Sequence, residues 1–548
     1  MAGTVRGASV QLWSPFDFLE GKGCEMFNLT DVELDNAREA IDHHGFSTML
    51  PTPPEWEIVK NNWLSIRATL EKIDLDNYEP FKLTKVFAPK NRANIRVVHL
   101  LHPQDLIIYT ALVMVAKNDI EQSRIGVKSK KVFSYRVDSN NDSVLYEVKS
   151  SHENYRKQLE AKSDALSVKY VAMADIADFF PRIYQHRLEN VIESVATSQR
   201  VRDVARVLIK KLVSNLMGRN SYGIPVGPYA SRVLAEALLI DVDSTLQSKN
   251  VNFVRWVDDY NIFCSSEYEA QSVLFHLGEW LYTNHGLTLQ TAKTKILPVA
   301  RYKKEILLKH DAVLTDRDSA VNILRDFRFG YEDAADEEEP SEEEIQVILE
   351  FFHGIDLQAM LEKSLSDTTL VDYEAVVYVL TKIPRIPGLN DDLKRQVLEL
   401  VIDNAELLYP VAEQISKYVL SFDNLSARER KGIAKKLLKP LKSKRNPPPP
   451  YYAMWVLHIF ASSPLWNHSE EIFQLYSETT SEIIKRLAAL VVFTSGTRAH
   501  ALAIKDDYTN ASPLLKMAIL YASKQLGIDE RKHWKLSNGV SGAIEKLI

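Results

Sequence analysis

The stretch that most constrains this chain is Phe253-Val-Arg-Trp-Val-Asp-Asp-Tyr-Asn-Ile-Phe-Cys264. Two adjacent carboxylates, Asp258 and Asp259, stand between short apolar runs rich in β-branched and aromatic residues. The pattern predicts strand, tight turn and strand, with the acidic pair at the tip of a hairpin. A plain turn would use Asn-Gly or Asp-Gly, because neighbouring carboxylates raise each other's pKa unless a cation neutralises them. The pair therefore reads as a holder for a divalent cation, with a solvated turn as the bland alternative.

At 548 residues the chain can bury several cores, and two to four domains are expected. A hydrophobic share of 45% and a charged share of 26% are those of an ordinary globular protein. No apolar run is long enough for a membrane helix, and the N-terminus has no secretory pattern. Cys24 and Cys264 form no metal spacing, so a reducing, cytoplasmic compartment is expected. The net charge of −6 misleads about partners: nine carboxylates fall within residues 332–344, and without them 67 basic residues face 64 acidic ones. That acidic run reads as a solvated linker, since like charges and few apolar groups oppose packing.

Ahead of the hairpin, basic and apolar residues alternate from Phe81 to Val98, predicting a basic hairpin around Pro89-Lys-Asn-Arg-Ala-Asn94. It is either a solvated edge or a pair of cations aimed at phosphates. Residues 103–118 read as an apolar helix opened by Pro103. Val168–Ile176 reads as a strand that delivers Asp175 to its end, with Asp178 three residues on as a second carboxylate or a helix cap. Gly223-Ile-Pro-Val-Gly-Pro-Tyr-Ala-Ser231 is a stiffened loop running into a helix, Arg232–Leu246. Residues 267–284 read as another helix, and the alternating segment after it ends in Lys293 and Lys295. From Ile345 onward strand signals fade into short helical patterns separated by breakers, which suggests a helical-repeat solenoid. No residue there carries obvious chemistry, leaving a scaffold or interaction surface as its default role.

This order of elements resembles the fingers and palm of a reverse transcriptase. Ala174-Asp-Ile-Ala-Asp-Phe-Phe-Pro-Arg-Ile183 is similar to the first palm motif, Gly223–Ser231 to the second, Trp256-Val-Asp-Asp259 to the third and Gly286–Thr294 to the fourth. Arg96, His102-Pro-Gln-Asp-Leu106 and Phe133-Ser-Tyr-Arg136 resemble fingers motifs of bacterial members. A palm followed by a long helical segment resembles the abortive-infection reverse transcriptases that defend bacteria against phage.

The resemblance implies an α+β fold: right-hand polymerase fingers and palm followed by an all-α, HEAT-like helical-repeat domain. The expected division is an N-terminal helical segment (1–84), fingers and palm with a short thumb-like end (85–330), an acidic linker (331–344) and the helical domain (345–548). It implies catalytic carboxylates Asp175, Asp258 and Asp259, which with the backbone carbonyl of Ile176 hold two Mg²⁺ ions, Mn²⁺ being the substitute. Lys90 and Arg96 would hold a nucleoside triphosphate, and Phe180 would crowd the sugar 2′ carbon in favour of dNTPs. Gly227 would let the loop approach base and sugar, and Lys293 would assist the leaving pyrophosphate.

The implied activity is Mg²⁺-dependent DNA synthesis in phage defence, without a template and primed by a protein hydroxyl. The single-stranded DNA product would stay covalently attached, in a cytoplasmic, bacterial homo-oligomer with no membrane partner. Tyr451, Tyr452 and Tyr508 are primer candidates by residue type alone. Two other readings stay open: a retron-like enzyme copying a non-coding RNA, and an inactive scaffold. Three departures from the family pattern bear on the choice. Trp256 replaces the usual tyrosine, Pro298-Val-Ala-Arg-Tyr-Lys-Lys304 replaces the apolar Leu-Gly turn, and no nuclease or maturase segment is recognised.

Overall fold

Four short, β-rich runs assemble around the hairpin. In the computed structural model, β4 (Phe253–Trp256) and β5 (Asp259–Cys264) form that hairpin, β3 (Tyr170–Asp175) pairs with β5, and β6 (Lys295–Pro298) completes an antiparallel sheet of order β4-β5-β3-β6. The structure describes residues 26–90, 94–147, 151–307, 373–382, 384, 391–443, 445 and 447–548. Cys24, the acidic run 332–344 and the helix expected over 345–365 lie outside the described residues.

The basic hairpin is a separate two-stranded sheet, β1 (Thr84–Pro89) and β2 (Ile95–Leu100), in which Ala88 faces Arg96. Behind it runs the helix Pro103–Ser123, longer than the sequence suggests, with His102 as its N-cap and Pro103 in its first turn. Most of this helix is buried, and the helices Asp31–His44 and Ala230–Leu238 both pack on it. The sequence predicts one helix over 232–246. The structure has two, Ala230–Leu238 and Ile240–Ser248, meeting at Leu239, where ψ relaxes to 2°. The helix Ser151–Ser163 has only weak apolar periodicity, whereas Gln199–Arg206 starts at a Ser198 N-cap and buries Val201, Val204 and Ala205 along one face.

All described elements beyond residue 307 are helical. The helix Pro450–Ser462 packs on β1, and the helices Ala412–Leu420, Glu482–Ser495 and Pro513–Ala522 join it in one layer of contacts. Buried Arg486 pairs with buried Glu55 at 2.7 Å, and Tyr521 donates to the Pro54 carbonyl at 2.9 Å. A buried ion pair with both partners satisfied fixes the geometry of that junction more than it adds stability.

Candidate active site

The sheet register builds the acidic cluster. Asp175, last in β3, lies directly across from Asp259, first in β5, and Asp258 occupies the turn before it. Each of the three carboxylates offers an oxygen within 4.8 Å of the others, with Asp175 buried and the other two partly exposed. Among the described residues no other trio of His, Cys, Asp or Glu converges in this way. Burial pushes the Asp258 carboxyl up to about 7, and the charges of Asp259 and Asp175 add to the rise.

Among the described residues, a lysine is bonded to the cluster. Lys293, on the turn before β6, donates to Asp175 Oδ1 at 2.6 Å. Burial works against its charge, yet the bond to Asp175 and the three carboxylates together raise its pKa. The Asp175 carbonyl accepts from Gln290 N–H at 2.7 Å, so the turn carrying Lys293 is tied to the strand carrying its partner. The Ile176 N–H in turn donates to the Asp258 carbonyl at 3.2 Å, fastening the strand end to the hairpin tip. Asp178 stands apart: its side chain is 65% exposed, caps no helix, and lies 4.0 Å from Arg182.

Sequence reading missed what holds the tip. Val257 adopts φ +49°, a left-handed conformation that a β-branched residue occupies only under constraint. Its N–H donates to Ser134 Oγ at 2.9 Å, and its carbonyl accepts from Arg255 Nη1 at 2.7 Å. Arg255 is fully buried within β4 and bonds Glu236 at 2.9 Å and Asp243 at 2.5 Å. Ser134 and Arg124 also donate to Glu236, at 2.5 and 2.6 Å. Although burial opposes ionisation, Arg255 and Arg124 hold the Glu236 carboxyl below its ordinary value. Burial outweighs Arg255 at Asp243, whose carboxyl lies above its own. The signal was present: an arginine inside an apolar strand, and two acids seven residues apart in an apolar helical run.

The remaining expected residues fall into two groups. Phe180 is buried beside the glycine loop, its carbonyl accepting from Ile224 N–H at 3.2 Å. Lys90 and Arg96 sit half-buried on the basic hairpin, where Arg96 lies 3.6 Å from Met49 Sδ. Gly227 joins the loop to that hairpin. It has φ +120°, and a Cβ there would meet Ser47 Oγ at 3.0 Å and Val98 Cγ1 at 3.1 Å. His99 clamps the same place: its N–H donates to the Val226 carbonyl at 2.7 Å, and its Nδ1 accepts from Val226 N–H at 2.9 Å. Glycine at 227 is therefore required by close packing of loop on fingers. The hydroxyls of Tyr451 and Tyr452 bond to Glu413 and the Leu437 carbonyl inside the helical core, and Tyr508 is also buried.

Residues 89–312 match the profile of the family described as reverse transcriptase (RNA-dependent DNA polymerase). The chain carries a reverse-transcriptase domain. That domain implies nucleotidyltransferase activity, and its matched span contains the acidic cluster, Lys293 and the network beneath them.

No curated protein matches the chain. Among solved structures, apo telomerase from Candida tropicalis is similar at 14% identity, TM-score 0.30, over 68% of this chain and 73% of that one. Candida tropicalis telomerase with a TWJ fragment of telomeric RNA gives 14% and 0.32 over 67% and 68%. The corresponding Candida albicans complex gives 12% and 0.28 over 80% and 71%. At such scores the profile match remains the ground for the assignment. No described helix is long and apolar enough to cross a membrane.

The donor set suits a hard divalent cation. Three carboxylates converge, and burial, with the charges of Asp259 and Asp175 adding to it, keeps a proton on Asp258 to about pH 7.

Proposed function

We propose that this protein is a Mg²⁺-dependent, reverse-transcriptase-type DNA polymerase acting in abortive infection against phage, without a template and primed by a protein hydroxyl. The observation that carries the polymerase part is the convergence of Asp175, Asp258 and Asp259 at a strained hairpin tip, inside the span matched by the family. The defence role, priming mode, helical repeats and homo-oligomer rest on the resemblance of the motif order and the long helical C-terminal part.

The three carboxylates and the Ile176 carbonyl would hold Mg²⁺, with Mn²⁺ as substitute. Bound there, the divalent ions would supply charge neutralisation for the attacking hydroxyl and the departing pyrophosphate. The chain's own groups do the rest. Lys90 and Arg96 grip the triphosphate, Phe180 presses on the sugar and disfavours a 2′-hydroxyl, and the Gly227 loop sets the floor of the nucleotide site. Lys293, held at Asp175, is placed to neutralise or protonate the leaving pyrophosphate. A priming hydroxyl must reach the carboxylates, which the core positions of Tyr451, Tyr452 and Tyr508 disfavour.

Incubating the purified protein with Mg²⁺ and each labelled dNTP separately, without template or primer, tests the proposal. Label that migrates with the protein until proteolysis is the expected result. Incorporation only when RNA and a primer are supplied would replace it with the templated, retron-like reading. No incorporation in either setting would leave the scaffold.

A further inference from the structure

The helical part contains the most concentrated positive charge in the molecule. Residues 427–445 hold nine lysines and arginines and a single carboxylate, Glu429, in a chain whose net charge is −6. The helix Ala427–Leu438 opens with a capping box from Ser426 and Glu429 and buries Ala434, Leu437 and Leu438. Its outer side carries Arg428, Lys431 and Lys435, and Lys439 follows at its C-cap. These four, spaced by three, four and four residues, fall within an arc of about 80° at about 100° per residue. Arg428, Lys431, Lys435 and Lys439 are all exposed.

Among the described residues, neighbouring carboxylates pair with other cations and not with this row. Glu429 pairs with Arg395, Asp403 with Lys436 and Glu471 with Lys442. Those contacts engage cations beside the row, whereas Arg428, Lys431, Lys435 and Lys439 have no ion-pair partner among the described residues. Four cations side by side, with no ion-pair partner among the described residues, repel one another, a cost that an anionic ligand removes. The segment then leads into the helix Pro450–Ser462, which packs on β1 of the basic fingers hairpin, and the charge of Arg96 reaches Tyr451 there.

We propose that Arg428, Lys431, Lys435 and Lys439 form a binding site for the phosphodiester backbone of a single-stranded nucleic acid. The row is about 16 Å long at 1.5 Å per residue, enough for a few successive phosphates of a flexible strand. Three of its four groups are lysines, point charges suited to phosphates and poor at reading bases, so binding is independent of sequence. DNA and RNA offer the same backbone chemistry. The choice of a single strand over a duplex rests on the polymerase reading above, while the cation row itself does not.

Binding of the full-length protein to fluorescent 30-nucleotide oligo-dT and oligo-U, followed across a salt series, tests this. Arg428→Gln, Lys431→Gln, Lys435→Gln and Lys439→Gln combined should weaken binding about 100-fold near 0.1 M salt and flatten the log–log salt slope by about 3, at about 0.7 per phosphate on a single strand. Lys431→Arg, Lys435→Arg and Lys439→Arg combined should keep affinity and slope, and Lys249→Gln with Lys532→Gln should change neither. Loss with both oligomers assigns the site to either nucleic acid, and loss with one assigns it to that one.

Unchanged affinity and slope in the four-site variant would overturn the proposal. So would a loss confined to a 30-base-pair duplex, or displacement of oligo-dT by polyglutamate of matched charge as effective as that by oligo-dT itself. The last result would point to an acidic protein partner. Asp258→Ala should bind as the wild type does, so failure of the polymerase reading and failure of this site give different results.

Discussion

Two clusters of acidic side chains lie at this hairpin, one on each side of the same strained residue, and they are treated in opposite ways. Below Val257, Glu236 and Asp243 are fully buried and answered by Arg255 and Arg124 at bonding distance. Above it, Asp175, Asp258 and Asp259 converge, and among the described residues Lys293 bonds Asp175. The lower cluster is complete as folded, since buried charges persist only when paired and hydrogen-bonded. The upper one retains unspent negative charge, the condition of a site awaiting a ligand. Two arginines answer the acids below the hairpin, whereas at the tip burial and the neighbouring carboxylates raise Asp258, and that is where the chemistry belongs.

The largest effect expected from breaking this contrast is on activity. Asp258→Ala should lower nucleotide incorporation by about 10³-fold or more, as loss of a group that organises transition-state charge does, while circular dichroism and urea unfolding stay near wild type. Removing a member of the lower cluster should do the reverse of sparing the fold. Arg255→Ala leaves two buried carboxylates facing each other and should cost about 3–5 kcal/mol of stability, read from urea midpoints. Incorporation by the surviving folded fraction should also fall, because the Val257 carbonyl loses its donor.

A smaller effect separates the clusters by pH. Without a bound cation, Asp258 in the folded chain keeps its proton to about pH 7, whereas the unfolded chain releases it near the ordinary 3.8. Stability from this group is thus fully present below 3.8 and lost as pH rises through 7. Asp258→Asn should therefore raise stability at pH 8 in EDTA by on the order of 1 kcal/mol while abolishing incorporation, a trade of stability against function. Thermal melts at pH 5 and pH 8 measure it, and equal shifts at both would break the contrast.

The smallest effect concerns the clamp between loop and fingers. Burial lowers the pKa of His99 from 6.5 to about 4, with Lys85 contributing in the same direction. The unfolded chain takes up this proton first, so stability is lost as pH falls from 6.5 toward 4. Protonated Nδ1 would also present a donor to the Val226 N–H. His99→Gln, whose amide oxygen can accept from that N–H, should reduce the acid slope of the melting temperature without abolishing incorporation. An unchanged slope would assign the acid sensitivity to His44 and His458, whose burial lowers them to about 3 and about 4.

How much of this was legible in the chain followed sequence distance. The Asp-Asp hairpin, the strand delivering Asp175 and the basic hairpin are local patterns, and they formed where the alternation placed them. Lys293 was legible as the end of an alternating segment and as a site residue only through the resemblance, and the β3–β6 register is what brings it to Asp175. The clamp on Val257 was not legible, because Ser134 and Val257 are 123 residues apart and nothing local couples them. The break at Leu239 was hidden by a continuous apolar pattern. Tyrosines at 451 and 452 offered reactive hydroxyls by composition, and helical burial turned those hydroxyls inward. The basic row at 428–439 was not singled out in the sequence, because its meaning depends on the absence of ion-pair partners for it among the described residues.

The upper cluster should bind a divalent cation and the lower one, closed by its arginines, should not. Electron paramagnetic resonance of free Mn²⁺ titrated with the protein measures this directly. Wild type should remove Mn²⁺ from solution at pH 8, Asp175→Asn with Asp258→Asn should lose that capacity, and Glu236→Gln should retain it in whatever fraction stays folded. Equal sequestration by wild type and the Asp175→Asn, Asp258→Asn variant would contradict the account.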